Sequence, residues 1–386
     1  MDFDFTEEQA DLFGRVVAFA KGRLNDDSAE REARGAFSRE LWRECAEFGI
    51  HGLPLPAEYG GGAQDLVTAS AAMEALGYGC RDQGLLFSIH AHMWSVQAPI
   101  VAFGTEDQKR RWLPKLSNGE WVGAHAMSEP DSGSDAFSLR TRAEKRGDRY
   151  VLNGAKTFST NAPESDLIIV FATVNRDRGM WGVTAFAVER DTPGLTVSKP
   201  IAKMGLTTSP MGEIVFDDCE IPAENLLGKE GQGATVFNHS MAWERACILA
   251  SDVGAMERQL ETVIEYAKTR RQFDKPIGDF QLVAKRVADM KMRHETSRLL
   301  LYRAAAALAA NAKDAAMLGA MAKTYISEAA VQSGLDAIQV HGGYGYMKEF
   351  EVERGLRDAI GGQLYSGTTD IQRMLIARRL GLSPKN

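Results

Sequence analysis

Over roughly the first 120 residues, apolar side chains recur three and four positions apart, the period of helices that bury one face. Thr6-Glu7-Glu8-Gln9 has the form of a capping box, and Leu12, Val16 and Phe19 then share a face. Ser38 is placed to cap a second helix through Leu41, Trp42, Cys45 and Phe48. Pro54-Leu55-Pro56 and Gly60-Gly61-Gly62 punctuate a loop. Thr105-Glu106-Asp107-Gln108 opens another helix, which stops at Asn118-Gly119.

The pattern changes at Trp121. Until about Pro222 it consists of short β-type runs and turns, with strands predicted over 166–174, 182–188 and 213–216. Gly147-Asp148 and Asn153-Gly154 have hairpin-turn chemistry. After the glycine-rich stretch 228–233 the helical period returns, predicting long helices over 236–268, 281–311 and 313–340. Helices of that length side by side suggest a four-helix bundle. The fold class is therefore α+β, in three parts: an N-terminal α-helical domain (1–120), a middle β domain (121–230) and a C-terminal helical bundle (231–386).

Composition narrows the functions. A net charge of −7 argues against a sequence-independent nucleic-acid binder, which needs a positive surface. No apolar run reaches the ~20 residues of a membrane span, and the acidic start MDFDFTEEQ is unlike a signal peptide, so a cytoplasmic protein is expected. Cys45, Cys80, Cys219 and Cys247 form no CxxC pair and no zinc spacing, so no metal is expected and the thiols read as reduced and mostly buried. The fifteen methionines read as core filler.

Three stretches could carry chemistry. Ala126-Met-Ser-Glu-Pro-Asp-Ser-Gly-Ser-Asp135 gathers hydroxyls and backbone donors that could converge on a polar ring. Gln339-Val-His-Gly-Gly-Tyr-Gly345 ends a helix and, read alone, is a glycine C-cap. Ser366-Gly-Thr-Thr-Asp-Ile-Gln372 enters a helix, with Thr368 or Thr369 as an ordinary N-cap. In this order, the three together resemble the acyl-CoA dehydrogenase family across essentially the whole chain.

The resemblance implies that family's fold, with a β-barrel as the middle domain, and FAD as cofactor. It implies that Met127, Ser128, Phe158 and Thr160 contact the flavin ring, and that Ser134 lies near both flavin and thioester. Arg270, Gln272, Phe273, Gln339, Gly343, Thr368 and Asp370 would hold the rest of FAD, partly across a subunit interface, which implies a homotetramer or dimer. Two positions depart from the usual pattern: Phe158 stands where many members have tryptophan, and Asp274 where glycine usually follows R-x-x-F.

Most members carry a glutamate just before Gly-Thr as the base for the α-proton. Here that position is Ser366, in Tyr365-Ser-Gly-Thr368. A serine hydroxyl is far too weak a base to replace it unaided. Isovaleryl-type members place the carboxylate on a helix of the bundle instead, before an arginine, and Met241-Ala-Trp-Glu-Arg245 matches that position. Glu244 is then the expected base, in an apolar cavity that raises its pKa. The Ser366 backbone N–H would still stabilise the thioester oxygen. Arg245, Tyr365 and His92 are expected near substrate, and His90 or His92 could instead be interior histidines.

Arg81-Asp-Gln-Gly-Leu-Leu-Phe-Ser88, His239-Ser-Met-Ala-Trp-Glu244 and Tyr365-Ser-Gly-Thr-Thr-Asp-Ile-Gln372 are similar to prolyl-carrier-protein dehydrogenases. So is Ala330-Val-Gln-Ser-Gly-Leu-Asp-Ala-Ile-Gln339. Ala242 replaces the family's CoA-binding aspartate. The expected reaction is thus FAD-dependent α,β-dehydrogenation of an acyl thioester on an acyl-carrier protein or on CoA. An electron-transfer flavoprotein or oxygen would take the electrons. The alternatives are a catabolic short- or branched-chain acyl-CoA dehydrogenase, a flavin monooxygenase on the same fold, and a non-catalytic scaffold.

Overall fold

The computed structural model describes residues 4–382. The first three residues of the acidic start and the last four of the C-terminal segment lie outside the described residues. The N-terminal helices are α1 (Glu7–Arg23), α2 (Ser28–Arg34), α3 (Arg39–Glu47), α4 (Leu66–Gly79), α5 (Gln83–His90), α6 (Ala98–Phe103) and α7 (Glu106–Ser117). The sequence signals set their starts. Thr6 and Thr105 each close a capping box, Ser38 caps α3, and α7 ends at Asn118. Between α5 and α6 the helix widens into a π-helical segment, Ala91–Gln97, buried throughout. Such widened turns occur often at functional sites.

Next come strands β1 (Gly123–Ala126), β2 (Arg142–Arg146), β3 (Arg149–Thr160) and β4 (Leu167–Thr173), then β5 (Val183–Glu189), β6 (Leu195–Val197), β7 (Met211–Pro222) and β8 (Leu226–Leu227). They form one sheet in the order β6-β7-β3-β2-β4-β5-β8, with β1 parallel to β4. β4 is apolar at nearly every position because both its faces are covered. Leu167, Ile169 and Phe171 join one apolar cluster, and Ile168, Val170 and Ala172 another. Asn153-Gly154 is not a turn: it lies inside β3, at a shift in register against β7. Gly154 takes φ +148, and a Cβ there would meet Thr141 at 2.5 Å, so its glycine serves a bulge and a close approach.

The C-terminal helices are α8 (Gly233–Cys247), α9 (Ala250–Thr269), α10 (Gln281–Ala309), α11 (Ala315–His341), α12 (Val352–Gly361) and α13 (Thr369–Arg379). A short hairpin, β9 (Arg271–Gln272) and β10 (Lys275–Pro276), follows α9. The single helix expected over 236–268 is two helices, broken at Ile248 and Leu249. The break holds neither Gly nor Pro. α8 packs on β5 and the π-helical segment, whereas α9 packs on α4. Gly77 and Gly254 let α4 and α9 touch at the backbone: a Cβ on Gly77 would lie 1.9 Å from the Ser251 carbonyl, and one on Gly254 1.9 Å from the Glu74 carbonyl. All four cysteines are buried and free.

Candidate active site

A cavity of about 570 Å³ lies where the sheet, α8 and the 364–371 loop meet. Its size suits a small-molecule or cofactor site. Glu244, three residues from the end of α8, faces into it and is only 7 % exposed. Both carboxylate oxygens are held. Ser366 Oγ donates to Oε2 at 2.6 Å, and Ser95 Oγ, from the π-helical segment, donates to Oε1. Burial pushes the Glu244 pKa up to about 7, while the Ser366 bond and the charges of Arg245 and Lys323 act to lower it. A carboxylate near neutrality in an apolar cavity is equipped to take and return a proton.

Ser366 sits in left-handed backbone, φ +55, followed by Gly367 at φ +85. Three donors from three helices grip the carbonyls of this turn. Arg245 Nε reaches Ser366 O at 3.3 Å, Lys323 Nζ reaches Gly367 O at 2.8 Å, and Gln372 Nε2 reaches the two oxygens at 3.0 and 2.9 Å. Thr368 then caps α13 through Ile371 N, as its sequence suggests. Tyr365 lines the cavity with its ring 4.4 Å from that of Phe87.

The opposite wall comes from the Ala126–Asp135 loop and β3. Thr157 N donates to Ser128 O at 2.9 Å, stitching the two together. Glu129 is the anchor: it accepts from the backbone of Arg140 at 2.5 Å and Thr141 at 2.9 Å, and from the buried Lys156 at 2.8 Å. Lys156 also donates to Met127 O at 3.1 Å. Met127, Ser128, Ser134, Phe158 and Thr160 all line the cavity. Phe158 is held at φ +53 and left 64 % exposed. A bulky aromatic in a strained conformation, presenting its surface to a cavity, is a platform for a flat ligand.

The remaining expected residues gather elsewhere. Arg270 ends α9 and lays its guanidinium over Tyr344, 5.5 Å from the ring centre, bringing the R-x-x-F and Q-x-x-G-G stretches together. Gln272 is exposed, Phe273 is 87 % exposed, and Gln339 and Gly343 are exposed beside them. None of these five lines the cavity, and neither does Asp370, exposed on the first turn of α13.

The expectation that His92 contacts substrate is corrected. His92 is fully buried, its Nε2 lies 2.9 Å from Leu116 O, and its Nδ1 accepts from Gly123 N at 2.9 Å. His90 is likewise interior, between Ser251 Oγ at 3.1 Å and Trp94 Nε1 at 2.8 Å. Burial depresses both pKa values, to about 3 for His90 and about 4 for His92, so both stay neutral. Of the buried π-helical segment, Ser95 rather than His92 lines the cavity. Sequence reasoning did not find Ser95, Lys323, Gln372 or Glu129. Lys323 alone left a signal, as the single charge in the apolar run Ala320-Met-Ala-Lys-Thr-Tyr-Ile326.

Removing the Ser366 hydroxyl tests this geometry. In Ser366→Ala the carboxylate loses a donor that favours its charged form, so its pKa rises further. The acid limb of the reaction is expected to move to higher pH than in the parent. A pH profile of substrate-driven reduction checks this, and an unmoved limb counts against the bond.

Three family models match the chain: acyl-CoA dehydrogenase N-terminal domain at residues 6–120, middle domain at 124–219 and C-terminal domain at 231–381. An L-prolyl-[peptidyl-carrier protein] dehydrogenase of Pseudomonas fluorescens is 44 % identical over 384 residues, covering 99 % of this chain and all of that one. The crystal structure of the prolyl acyl carrier protein oxidase AnaB superposes with a TM-score of 0.97 at 47 % identity, over 98 % of this chain and all of that one. The complex described as PigA with FAD and proline gives 0.97 at 42 %, over 99 % of this chain and all of that one. With a match in each of its three parts, the chain belongs to the acyl-CoA dehydrogenase family.

Proposed function

We propose that this protein is an FAD-dependent acyl-thioester dehydrogenase that acts on an aminoacyl group, a prolyl group foremost, borne by a carrier protein. The observation that carries the reading is the buried Glu244 carboxylate, held by two hydroxyls at the edge of a cavity with an aromatic platform on its far wall. The strained, uncovered Phe158 and the hydroxyls of Ser128 and Thr160 fit a flavin ring on that wall. Bound FAD supplies a hydride acceptor for the β-hydrogen.

The chain's own residues do the rest. Glu244, ionised, takes the α-proton. The Ser366 and Ser95 hydroxyls hold its two oxygens, so the base does not have to reorganise as the proton moves. The Ser366 N–H is the donor for the thioester oxygen, which gains charge as the α-proton leaves. Arg245, pinned to the Ser366 carbonyl, and Tyr365 shape the substrate side of the cavity. The burial of Glu244 at a largely apolar wall keeps the carboxylate basic.

Ala242 favours a carrier-borne thioester over CoA, because it offers no carboxylate where CoA-dependent members bind the nucleotide. A monooxygenase has no use for a carboxylate poised this way. Arg270, Gln272, Phe273, Gln339 and Gly343 serve the FAD of a neighbouring subunit, and Thr368 and Asp370 also contact the part of FAD beyond the flavin ring. The large exposure of Phe273 supports this, since an aromatic on a hairpin tip gains a partner on assembly. The protein is then a homotetramer or dimer, and oxygen or an electron-transfer flavoprotein reoxidises it.

The test is anaerobic bleaching of the flavin by a panel of acyl-CoAs and loaded carrier proteins. The prolyl-loaded carrier protein is expected to bleach fastest. No bleaching by any thioester would overturn the reading.

A further inference from the structure

We propose that Lys323 is a positioning residue for the proton transfer: its ammonium holds the Gly367 carbonyl and so sets the turn that presents the Ser366 hydroxyl to Glu244. The inference rests on Glu244 being the base. Lys323 lies on α11 and is fully buried, and burying an ammonium is costly unless a structural gain offsets it. Among the described residues its hydrogen bond goes to Gly367 O, at 2.8 Å, one residue beyond the serine that bonds the base.

The turn needs this help. Two successive left-handed residues, one of them a serine, are unfavourable on their own. Gln372 and Arg245 share the task, but neither carries a mobile point charge to the Gly367 carbonyl. The chain of contact runs from Lys323 to Gly367, to Ser366 and to Glu244, without Lys323 touching the base.

Lys323 also acts through its charge. The groups facing Glu244 are Arg245 on its own helix, Lys323 from α11, and Tyr365 with Ser366 from the loop; the π-helical segment contributes Ser95 and no charge. Lys323 in turn faces Arg245, Glu244 and Glu328. Burial, and then the neighbouring charge of Arg245, lower the Lys323 pKa to about 7, so the ammonium form predominates below that pH; there its charge stabilises the carboxylate, and its removal raises the Glu244 pKa.

The experiment compares Lys323→Met and Lys323→Gln with the parent as FAD-loaded enzymes. Anaerobic stopped-flow reduction by an L-prolyl-loaded carrier protein is followed across pH. Lys323→Met is expected to slow the limiting reduction rate about 10- to 100-fold, with the apparent substrate affinity changed by less than about threefold. Lys323→Gln keeps a donor for Gly367 and is expected to recover most of the rate. In both, the acid limb moves to higher pH, because both lack the charge.

A purely structural lysine would lower the melting temperature without moving the limb or separating Gln from Met. Lys323→Met reduced at the parent rate with the parent acid limb overturns the proposal. If the Met variant does not fold, an unmoved limb in Lys323→Gln overturns it. A parent enzyme that no acyl thioester reduces overturns the dehydrogenase reading itself, a result distinct from a parent that is reduced and a Met variant that matches it.

Discussion

Glu244→Gln is expected to lower the rate of flavin reduction by acyl thioester by about 10²- to 10⁴-fold while the protein keeps its flavin and its fold. An amide cannot accept the α-proton, and general-base assistance is worth about that much. The side chain is nearly isosteric, and its carbonyl still accepts from Ser95 or Ser366, so the cavity is not expected to rearrange. Stability should move the other way. The Glu244 pKa is raised from 4.5 to about 7 in the folded protein. The folded state therefore binds the proton more tightly than the unfolded one. That contribution is complete below about pH 4.5 and is lost as pH rises through about 7. At pH 8 the parent carries the cost of a buried charge and the Gln variant does not. The variant is expected to be more stable there by about 1–3 kcal/mol, with the gap closing toward pH 4.5. Thermal melts at the two pH values, beside anaerobic reduction, check both halves. Parent-rate bleaching by the variant removes Glu244 as the base.

Gly254→Ala is expected to destabilise the protein by about 3 kcal/mol or more, at the upper end of overpacking costs. The added methyl would lie 1.9 Å from the Glu74 carbonyl and 2.6 Å from the Tyr78 amide, both backbone atoms that cannot swing aside. α4 and α9 would have to separate. Alanine is otherwise the better helix former, so intrinsic propensity alone predicts a gain of about 1 kcal/mol. The sign of the measured change thus decides between local propensity and helix contact. α9 directly follows the helix that bears Glu244, so activity should fall with stability. Chemical denaturation of the variant, or its failure to accumulate as folded protein, is the measurement. A neutral or stabilising result would mean that α4 and α9 do not meet at the backbone.

Legibility followed range. Thr6, Ser38, Thr105 and Thr368 cap the helices they announce, because a cap is settled within four residues. β4 and β5 were readable as strands because each is a short β-rich run between turn residues. The break after Cys247 was not readable, since no residue there opposes a helix, and the two helices it separates pack on different neighbours. Asn153-Gly154 has turn chemistry, but pairing with β7 overrode it and used the glycine for a bulge. His92 carries the right residue type for a site, and burial against Leu116 and Gly123 took it out of play.

The sequence alone determined the order of helical and β segments, the absence of a carboxylate before Gly367, and the presence of one at Glu244 ahead of an arginine. Those are statements about residue type and spacing, which a linear chain carries. Only the tertiary structure decided that Ser366, vacant as a base, donates to the carboxylate 122 positions away. It alone brought Ser95 to the other oxygen and Lys323 under the turn. Hydrogen bonds between distant segments depend on how helices cross and where a helix widens. Those outcomes come from packing the whole chain at once and leave no mark in the local pattern.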